Sequence, residues 1–267
     1  MVVFGLKAPA YDGFFHGGAV TGMEPTVESS LESSLEESVV ASGGSSYEQI
    51  VTRMIPGYAS LARLGVALLA ASPLASAQGA SVLVAGCGSG AELLEARSQR
   101  PDWHLTGLDP SAAMLLAARR RLAGQPGIDW QQDSVQSLEA RARFDGALAV
   151  LVLQALPDDG SKLTFLTALA RSLRPGGQVV LVDLMQPERS PIQHQLREAR
   201  LGFQRASEQG AATDSADNNI LVADLSTGLH PIGLSRLTAL VEAAGFGDPA
   251  PVYQALDVEG FLLQRRD

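Results

Sequence analysis

The sequence predicts an α/β fold in which a mostly parallel sheet is covered by helices on both faces. Short apolar segments alternate with helical ones, which is typical of such a sheet. A glycine-rich turn joins the first predicted strand to a helix. A polar stretch, residues 185–232, is inserted between the fifth predicted strand and the last helix. An insertion that follows a parallel strand lies at the carboxyl ends of the strands, where open α/β sheets bind ligands. We therefore predict that this insertion covers a substrate.

Composition limits the class of protein. The chain has 267 residues, of which 46% are hydrophobic and 18% charged, so a wholly disordered or fibrous protein is excluded. The single cysteine cannot form an internal disulfide, and we expect a reducing, cytoplasmic environment. The four histidines show no i, i+4 pairing, so no metal site is expected. No apolar run reaches the length of a membrane span.

Negative charge is concentrated near the start of the chain. The formal net charge is −9, and residues 1–48 carry one lysine against seven carboxylates. The remainder is nearly neutral and has no basic stripe, so we expect neither a nucleic-acid nor a membrane partner. We predict that residues 1–46 form an acidic, flexible or loosely docked leader with an amphipathic helix. That helix could pack on its own chain or across a homodimer.

The predicted elements follow from apolar periodicity. Strands are predicted at 81–85, 104–108, 128–131, 144–152, 178–184, 251–255 and 259–264. Helices are predicted at 90–99, 111–123, 159–173 and 233–244, and a helical pattern that begins at Tyr47 is interrupted at Pro56-Gly57.

The turn Gly86-Cys87-Gly88-Ser89-Gly90 is the first candidate ligand site. Glycines let backbone N–H groups approach a ligand where any Cβ would collide. Asp109 ends the second predicted strand, where a carboxylate can accept hydrogen bonds from ribose hydroxyls. The turn and the acid together predict an adenosine-containing ligand. Alternatively, Asp109 or Ser111 could cap the next helix.

Three further motifs complete an ordered set. Asp133-Ser134 follows the third strand, Phe144-Asp145 opens the fourth, and Leu173-Arg174-Pro175-Gly176-Gly177 precedes the fifth. The set, which spans residues 47–267, resembles the class I S-adenosylmethionine-dependent methyltransferases. The resemblance implies a doubly wound, Rossmann-like, seven-stranded sheet with an antiparallel last strand. It also implies S-adenosylmethionine as cofactor and transfer of its methyl group to a small-molecule acceptor.

The resemblance assigns residues to the cofactor site, where Tyr58 would close over the ligand. The implied cofactor-binding residues are Tyr58, Ala85, Gly86, Cys87, Gly88, Gly90, Asp109, Pro110, Met114, Asp133, Ser134, Val150 and Leu151. We interpret Cys87 as a packing residue rather than a nucleophile. Many relatives have an acid two positions before the first glycine, where this chain has Val84. The amino group of the cofactor would then need another partner.

Residues near the strand ends and in the insertion are candidates for acceptor chemistry. Asp183, His194 and His230 could act as a general base, and Gln154 could orient the acceptor. Arg197 and Arg205, together with Arg200, could bind an acidic acceptor, although exposed arginines usually face solvent.

Two alternatives remain open from the sequence. The entry helices are similar to those of the carboxy-S-adenosylmethionine synthases, which would make the protein non-methylating. The chain lacks their Gln-Lys-Arg run and has Asp217-Asn218-Asn219-Ile220-Leu221 there, which favours ordinary S-adenosylmethionine. An NAD(P)-dependent oxidoreductase would fit Gly86-x-Gly88-x-x-Ala91. Against it, Asp158 stands four positions before Lys162, so the Tyr-x-x-x-Lys couple of short-chain dehydrogenases is absent.

Overall fold

The computed structural model describes residues 45–139, 141–187, 191–208 and 228–267. The predicted leader helix and the segment Asp217–Leu221 lie outside these ranges. The helices are α1 (Ser45–Met54), α2 (Tyr58–Ala70), α3 (Ala91–Gln99), α4 (Ala112–Arg121), α5 (Ser161–Ser172), α6 (Gln193–Glu208) and α7 (Leu234–Ala243). The strands are β1 (Ser81–Ala85), β2 (His104–Leu108), β3 (Ile128–Gln131), β4 (Phe144–Val150), β5 (Leu173–Leu184), β6 (Ala250–Ala255) and β7 (Val258–Gln264). None of the described helices is long and apolar enough to cross a membrane.

The seven strands form one sheet in the order β3-β2-β1-β4-β5-β7-β6. Strands β1 to β5 pair in parallel, and β7 pairs antiparallel with both β5 and β6. The predicted fold, with its antiparallel last strand, is therefore confirmed. The strand order reverses between β1 and β4, which places a crevice outside their carboxyl ends.

Both faces of the sheet are covered by apolar side chains. Phe165 and Leu169 of α5 pack with Leu237 of α7 on one face. Leu69 of α2 and Leu93 of α3 pack on the other. These side chains are fully buried, so the parallel strands carry apolar residues on both faces.

Strands β6 and β7 each begin one residue earlier than predicted, and two other strand boundaries differ by more. Strand β5 begins at Leu173 rather than at residue 178, because Leu173 pairs with Phe144 before the register shifts. An ion pair of 2.5 Å between Arg174 Nη1 and Asp145 Oδ1 stabilises this extension. Strand β4 ends at Val150 rather than at residue 152, because the positive φ of Leu151, 58°, turns the chain out of the sheet.

Helices α1 and α2 are separated at Pro56-Gly57, as predicted, and the break is anchored to β6. Gly57 has a φ of 78°, which favours glycine. The Tyr253 hydroxyl donates a hydrogen bond of 2.5 Å to the Pro56 carbonyl. A Cβ at Gly57 would lie 2.6 Å from the Tyr253 hydroxyl oxygen. The N-terminal helix pair is thereby attached to the C-terminal hairpin.

Candidate active site

A first cavity opens at the carboxyl ends of β1, β2 and β4. It is partly open to solvent. Its lining consists of Tyr58, Gly86, Cys87, Gly88, Ser89, Ala91, Glu92, Asp109, Met114, Val150 and Leu151.

The glycine turn gives this cavity its open floor. Gly86 and Gly88 have φ values of 69° and 49°, in the left-handed region. A Cβ at Gly86 would lie 2.6 Å from Val152 Cγ2, so this glycine is required for packing. A Cβ at Gly88 would meet no atom within 4 Å, so the backbone there borders open space. The turn therefore leaves room for a ligand at Gly88.

Asp109 is directed at the turn. It is 1% exposed, and its Oδ2 accepts a hydrogen bond of 2.8 Å from the Gly88 N–H. Its Oδ1 accepts another, of 2.9 Å, from the Ser111 N–H. The cap of α4 is supplied by the Ser111 hydroxyl, which accepts from the Met114 N–H at 3.3 Å. Burial raises the pKa of Asp109, while the two N–H groups favour its carboxylate.

A second cavity lies beside the first, between the sheet and helices α1 and α6. Its lining consists of Val51, Met54, Ile55, Leu151, Gln154, Leu184, Arg200, Leu229, Asp257 and Val258. Leu151 lines both cavities. A third cavity shares Leu184, Arg200, Leu229 and Asp257 with the second and also includes Leu196 and His230. The described part of the insertion therefore contributes to cavity walls, and its role as a substrate cover stays a prediction.

Comparisons with known proteins agree with this geometry. Residues 82–177 match the model of the methyltransferase domain family. This segment contains the glycine turn, Asp109 and β1 to β4. This segment is therefore similar to a methyltransferase domain.

Individual relatives cover different parts of the chain. A trans-aconitate 2-methyltransferase of Methylobacterium nodulans is 46% identical over 112 residues, which are 41% of this chain and 40% of that relative. The chain thus spans less than half of that relative's length. A carboxy-S-adenosyl-L-methionine synthase of Pseudomonas putida is 26% identical over 81% of this chain and 87% of its own length.

A solved structure with the same fold is a Burkholderia thailandensis 1,6-didemethyltoxoflavin-N1-methyltransferase with bound S-adenosylhomocysteine. It has a TM-score of 0.56 and 19% identity, and the match covers 92% of this chain and 94% of that one. The placement of β7 between β5 and β6 differs from the dinucleotide-binding order 3-2-1-4-5-6. The strand order therefore does not support the alternative of an NAD(P)-dependent oxidoreductase.

The residues that line the first cavity fit S-adenosylmethionine, the cofactor that the sequence resemblance implies. Gly88 borders the space that a ligand needs, and Asp109 presents a carboxylate to the same space. Tyr58, Gly86, Cys87, Met114, Val150 and Leu151 also line the first cavity, so it brings together eight of the thirteen residues that the sequence assigns to the cofactor. When bound, S-adenosylmethionine supplies a methyl group that its sulfonium activates for transfer.

Five of the residues assigned to the cofactor do not line the first cavity. Ala85 is fully buried in β1, and Pro110 is half-buried beside Asp109. At Gly90 a Cβ would lie 3.0 Å from Leu122 Cδ1 and 3.1 Å from Ala118 Cβ, so Gly90 allows close contact with α4 and its end.

The other two assigned residues that do not line the first cavity, Asp133 and Ser134, follow β3. Asp133 is exposed, and its Oδ1 accepts a hydrogen bond of 2.8 Å from the neighbouring Ser134 N–H. The Ser134 hydroxyl lies 2.8 Å from that of Ser137. Both side chains are engaged in a local turn, and their assignment to the edge of the adenine remains a prediction.

Asp183 was a candidate base, but its geometry fits a positioning role. It is 1% exposed, and its carboxylate accepts hydrogen bonds from the N–H groups of Leu153 (2.6 Å), Gln154 (3.0 Å) and Leu184 (2.9 Å). Burial raises its pKa to about 7, opposed by Lys162 and these N–H groups. Asp183 lines none of the three cavities, and it fixes the loop that separates the first two.

The backbone at this loop is held in a strained conformation. Leu151 has a φ of 58°, and its N–H donates to the Val182 carbonyl at 2.7 Å. The left-handed region costs a residue with a Cβ on the order of 1 kcal/mol. Lys162, fully buried, donates to the Leu153 carbonyl and helps to hold the loop. The side chain that lines both cavities is therefore placed by Asp183, Lys162 and β5.

The remaining acceptor candidates are dispersed. Gln154 lines the second cavity, and its Oε1 accepts from the Leu184 N–H at 3.1 Å. His230 is exposed at the third cavity, and its backbone N–H donates to the backbone carbonyl of Gln154 at 2.7 Å. His194 and Arg205 are exposed on α6. Only the position of Arg197 in α6 is described.

Cys87 is 2% exposed, and its N–H donates to the Leu108 carbonyl at 3.0 Å. Burial, together with the carboxyl groups of Asp109 and Glu92, raises the pKa of its thiol. A thiol that resists ionisation is a poor nucleophile. This supports the packing interpretation.

Sequence reasoning missed several lining residues. Ser89, Ala91 and Glu92 line the first cavity, and Asp257 lines the second. Glu92 could have been identified from the sequence. It closely follows the glycine turn, and the position at which many relatives have an acid is occupied by Val84. Asp257 gave no signal, because only the folded hairpin of β6 and β7 brings it to the cavity.

Proposed function

We propose that the protein transfers the methyl group of S-adenosylmethionine to a small-molecule acceptor held in the second cavity. The observation that carries this proposal is the position of Leu151 in the walls of both cavities. A cofactor in the first cavity and an acceptor in the second would meet at this residue. Methyl transfer needs in-line alignment and exclusion of water, and little acid–base chemistry.

The second cavity favours an acceptor with a large apolar surface. Val51 and Met54 of α1 line this cavity together with Ile55, which follows that helix, and the sheet contributes Leu184 and Val258. Burying apolar surface against these side chains contributes about 25 cal/mol per Å². Such a wall excludes water and orients an acceptor.

Charge argues against a polyanionic acceptor. Arg200 is the one Lys or Arg among the described residues that line the second and third cavities, and it is paired with Asp257. The sequence of residues 209–227 has three aspartates and neither lysine nor arginine. Trans-aconitate, named for the Methylobacterium nodulans relative, carries three carboxylates and would need free cations. We therefore propose a neutral or cationic acceptor.

Calorimetric titration tests the cofactor half of the proposal. S-adenosylmethionine and S-adenosylhomocysteine should bind to the full chain, and NADH should not. Folded protein that binds neither adenosyl ligand would overturn the proposal. Mass spectrometry tests the acceptor half, with trans-aconitate and catechol as probes at equal concentration. Methylation of trans-aconitate in preference to catechol would contradict the assignment of a neutral or cationic acceptor.

We also propose that the protein works in the cytoplasm on small molecules, as a monomer or homodimer, and not on nucleic acid. The buried free thiol of Cys87 and the net charge of −9 support this proposal. Size-exclusion chromatography with light scattering measures the oligomeric state. Fractionation of the source cells tests the location.

A further inference from the structure

Glu92 is a buried acid in the cofactor cavity. It lies in the first turn of α3 and is 8% exposed. It lines the first cavity together with Gly88 and Asp109. The side chain of a glutamate is rarely buried without a partner, because the loss of hydration penalises its charged form. Its place in the wall of a ligand site therefore calls for a ligand group that compensates it.

The surroundings of Glu92 do not supply that compensation. Its own backbone N–H and the distant Arg121 of α4 favour the charged form of the carboxyl group, but the effect of burial on its pKa is larger. Arg121, however, forms an ion pair with Glu48 of α1, and Glu48 repels Glu92. Among the described residues, no ion pair of Glu92 is formed. Burial raises the pKa of Glu92 to about 7.

The usual position for an acid on this side of the cofactor is filled by Val84. Val84 is 2% exposed and packs in the apolar core on one face of the sheet. It does not line the first cavity, whereas Glu92 does. The cavity thus holds two carboxyl groups, Asp109 and Glu92, and no lysine or arginine lines it.

We propose that Glu92 binds the ammonium group of the methionine portion of S-adenosylmethionine. It would thereby replace the acid that many relatives have at the position of Val84. This inference rests on the proposed function. An ammonium group has three N–H donors, and a carboxylate is a strong acceptor for them. Asp109 is then left to the ribose hydroxyls.

The sulfonium is the other positive centre of the cofactor, and Leu151 rather than Glu92 borders the cavity proposed for the acceptor. The methyl group would have to face the acceptor, which would place the sulfur near Leu151, the residue common to both cavities. Glu92 lines the first cavity alone. A sulfonium also has no N–H or O–H to donate. Glu92 therefore serves the ammonium group and acts in binding, not in the chemistry of transfer.

Binding by Glu92 makes cofactor affinity depend on pH. The ammonium group stabilises the ionised carboxylate, so protonation of Glu92 at low pH weakens binding. The charged and titratable groups that face this end of the cavity are Glu48 of α1, Tyr58 of α2, Cys87 of the turn, Asp109 after β2 and Arg121 of α4. The affinity of a ligand without the ammonium group should not depend on the protonation of Glu92.

The test compares three ligands by isothermal titration calorimetry. S-adenosylmethionine has an ammonium and a sulfonium, S-adenosylhomocysteine has the ammonium alone, and 5′-methylthioadenosine has neither. We expect Glu92→Gln to weaken the first two by roughly tenfold or more and to leave the third within about twofold. Glu95→Gln is the matched control, because Glu95 lies on the same helix outside the cavity and bonds to Gln99. It should change none of the three affinities.

Each other outcome contradicts the inference. Equal weakening of all three ligands would mean a structural role, and selective weakening of S-adenosylmethionine would assign Glu92 to the sulfonium. Unchanged affinities would remove Glu92 from binding. A wild-type chain that binds neither adenosyl amino acid would instead overturn the proposed function.

The pH dependence of ligand affinity can be measured on the wild-type chain, so this second test does not depend on whether a variant folds. Between pH 7 and pH 5.5 the affinity for S-adenosylhomocysteine should fall by about tenfold more than that for 5′-methylthioadenosine. Parallel pH profiles for the two ligands would contradict the inference.

Discussion

The Arg200 Nη1 atom of α6 lies 2.6 Å from the Asp257 Oδ2 atom in the turn between β6 and β7. Both side chains are half-buried or more, with exposed fractions of 26% and 16%. The pair joins the described part of the insertion to the C-terminal hairpin. Both residues also line the second and third cavities, so the contact lies in the wall of the space proposed for the acceptor.

Breaking this pair should loosen α6. Arg200→Met removes the charge, and a partly exposed ion pair contributes on the order of 1 kcal/mol. Hydrogen exchange of α6 amides should become a few times faster, while the affinity for S-adenosylhomocysteine stays unchanged. Arg205→Met, at an exposed position of the same helix, is the control. Equal exchange in both variants would show that the pair does not hold the helix.

Removing the Asp109 carboxylate should weaken cofactor binding. Asp109→Ala leaves the Gly88 N–H without its acceptor and removes the acceptor assigned to the ribose hydroxyls. We expect a loss of roughly 1–3 kcal/mol in binding S-adenosylhomocysteine by calorimetry. Asp129→Ala, at an exposed position of β3 outside the cavity, should have no effect. A comparable loss at Asp129 would show that the weakening does not depend on a carboxylate in the cavity.

Two glycines of the turn should respond differently to alanine. At Gly86 the new Cβ would lie 2.6 Å from Val152, so Gly86→Ala should lower the free energy of unfolding by several kcal/mol. At Gly88 it would meet no atom within 4 Å, so the cost should be about 1 kcal/mol from the left-handed backbone. Gly88→Ala should instead weaken S-adenosylhomocysteine binding. Urea titration and calorimetry measure the two effects, and equal destabilisation would contradict the contrast.

Asp183 should matter more for stability than for proton transfer. Asp183→Asn keeps the size but leaves Lys162 buried near a neutral group and removes one acceptor oxygen for the Leu153, Gln154 and Leu184 N–H groups. Breaking such a buried arrangement costs about 3–5 kcal/mol, measured by urea unfolding. Lys162→Met should produce a smaller loss, because the carboxylate keeps its three N–H donors. A stable Asp183→Asn variant that has lost only methyl transfer would restore Asp183 as a base.

The pH dependence of stability should reveal the buried Glu92. Its pKa is about 7 in the folded chain against an ordinary value of 4.5, so the folded state holds the proton more tightly. The free energy of unfolding should therefore fall as pH rises from about 4.5 to 7. Glu92→Gln should flatten this slope and be about 1–3 kcal/mol more stable than wild type at pH 7.5. Urea titrations at several pH values measure the slope, and identical slopes would place Glu92 in contact with water.

Most of the fold follows from local pattern. Strands β1, β2 and β3 have the predicted bounds, because each is a short apolar-rich segment between turn residues. The glycine turn and Asp109 were identifiable because their spacing reflects the crossing of one helix between two parallel strands. Such features depend on neighbours in sequence, so the sequence displays them.

The rest depends on contacts between distant segments. Asp183 was predicted to be a base because it ends a strand, and nothing local indicates that the N–H groups of Leu153 and Gln154 converge on it. An acid in a first helical turn usually faces solvent and complements the helix dipole. Glu92 is buried instead because the N-terminal helices and α4 surround that turn.

The bond from Tyr253 to the Pro56 carbonyl spans 197 positions. The helices that it anchors carry Tyr58 of one cavity and Val51, Met54 and Ile55 of the other. During synthesis these helices leave the ribosome 197 residues before the tyrosine that anchors them. Nascent chains stalled before β6 would therefore hold the glycine turn without a complete enclosure, and the ability to retain a ligand would arise only once β6 has emerged.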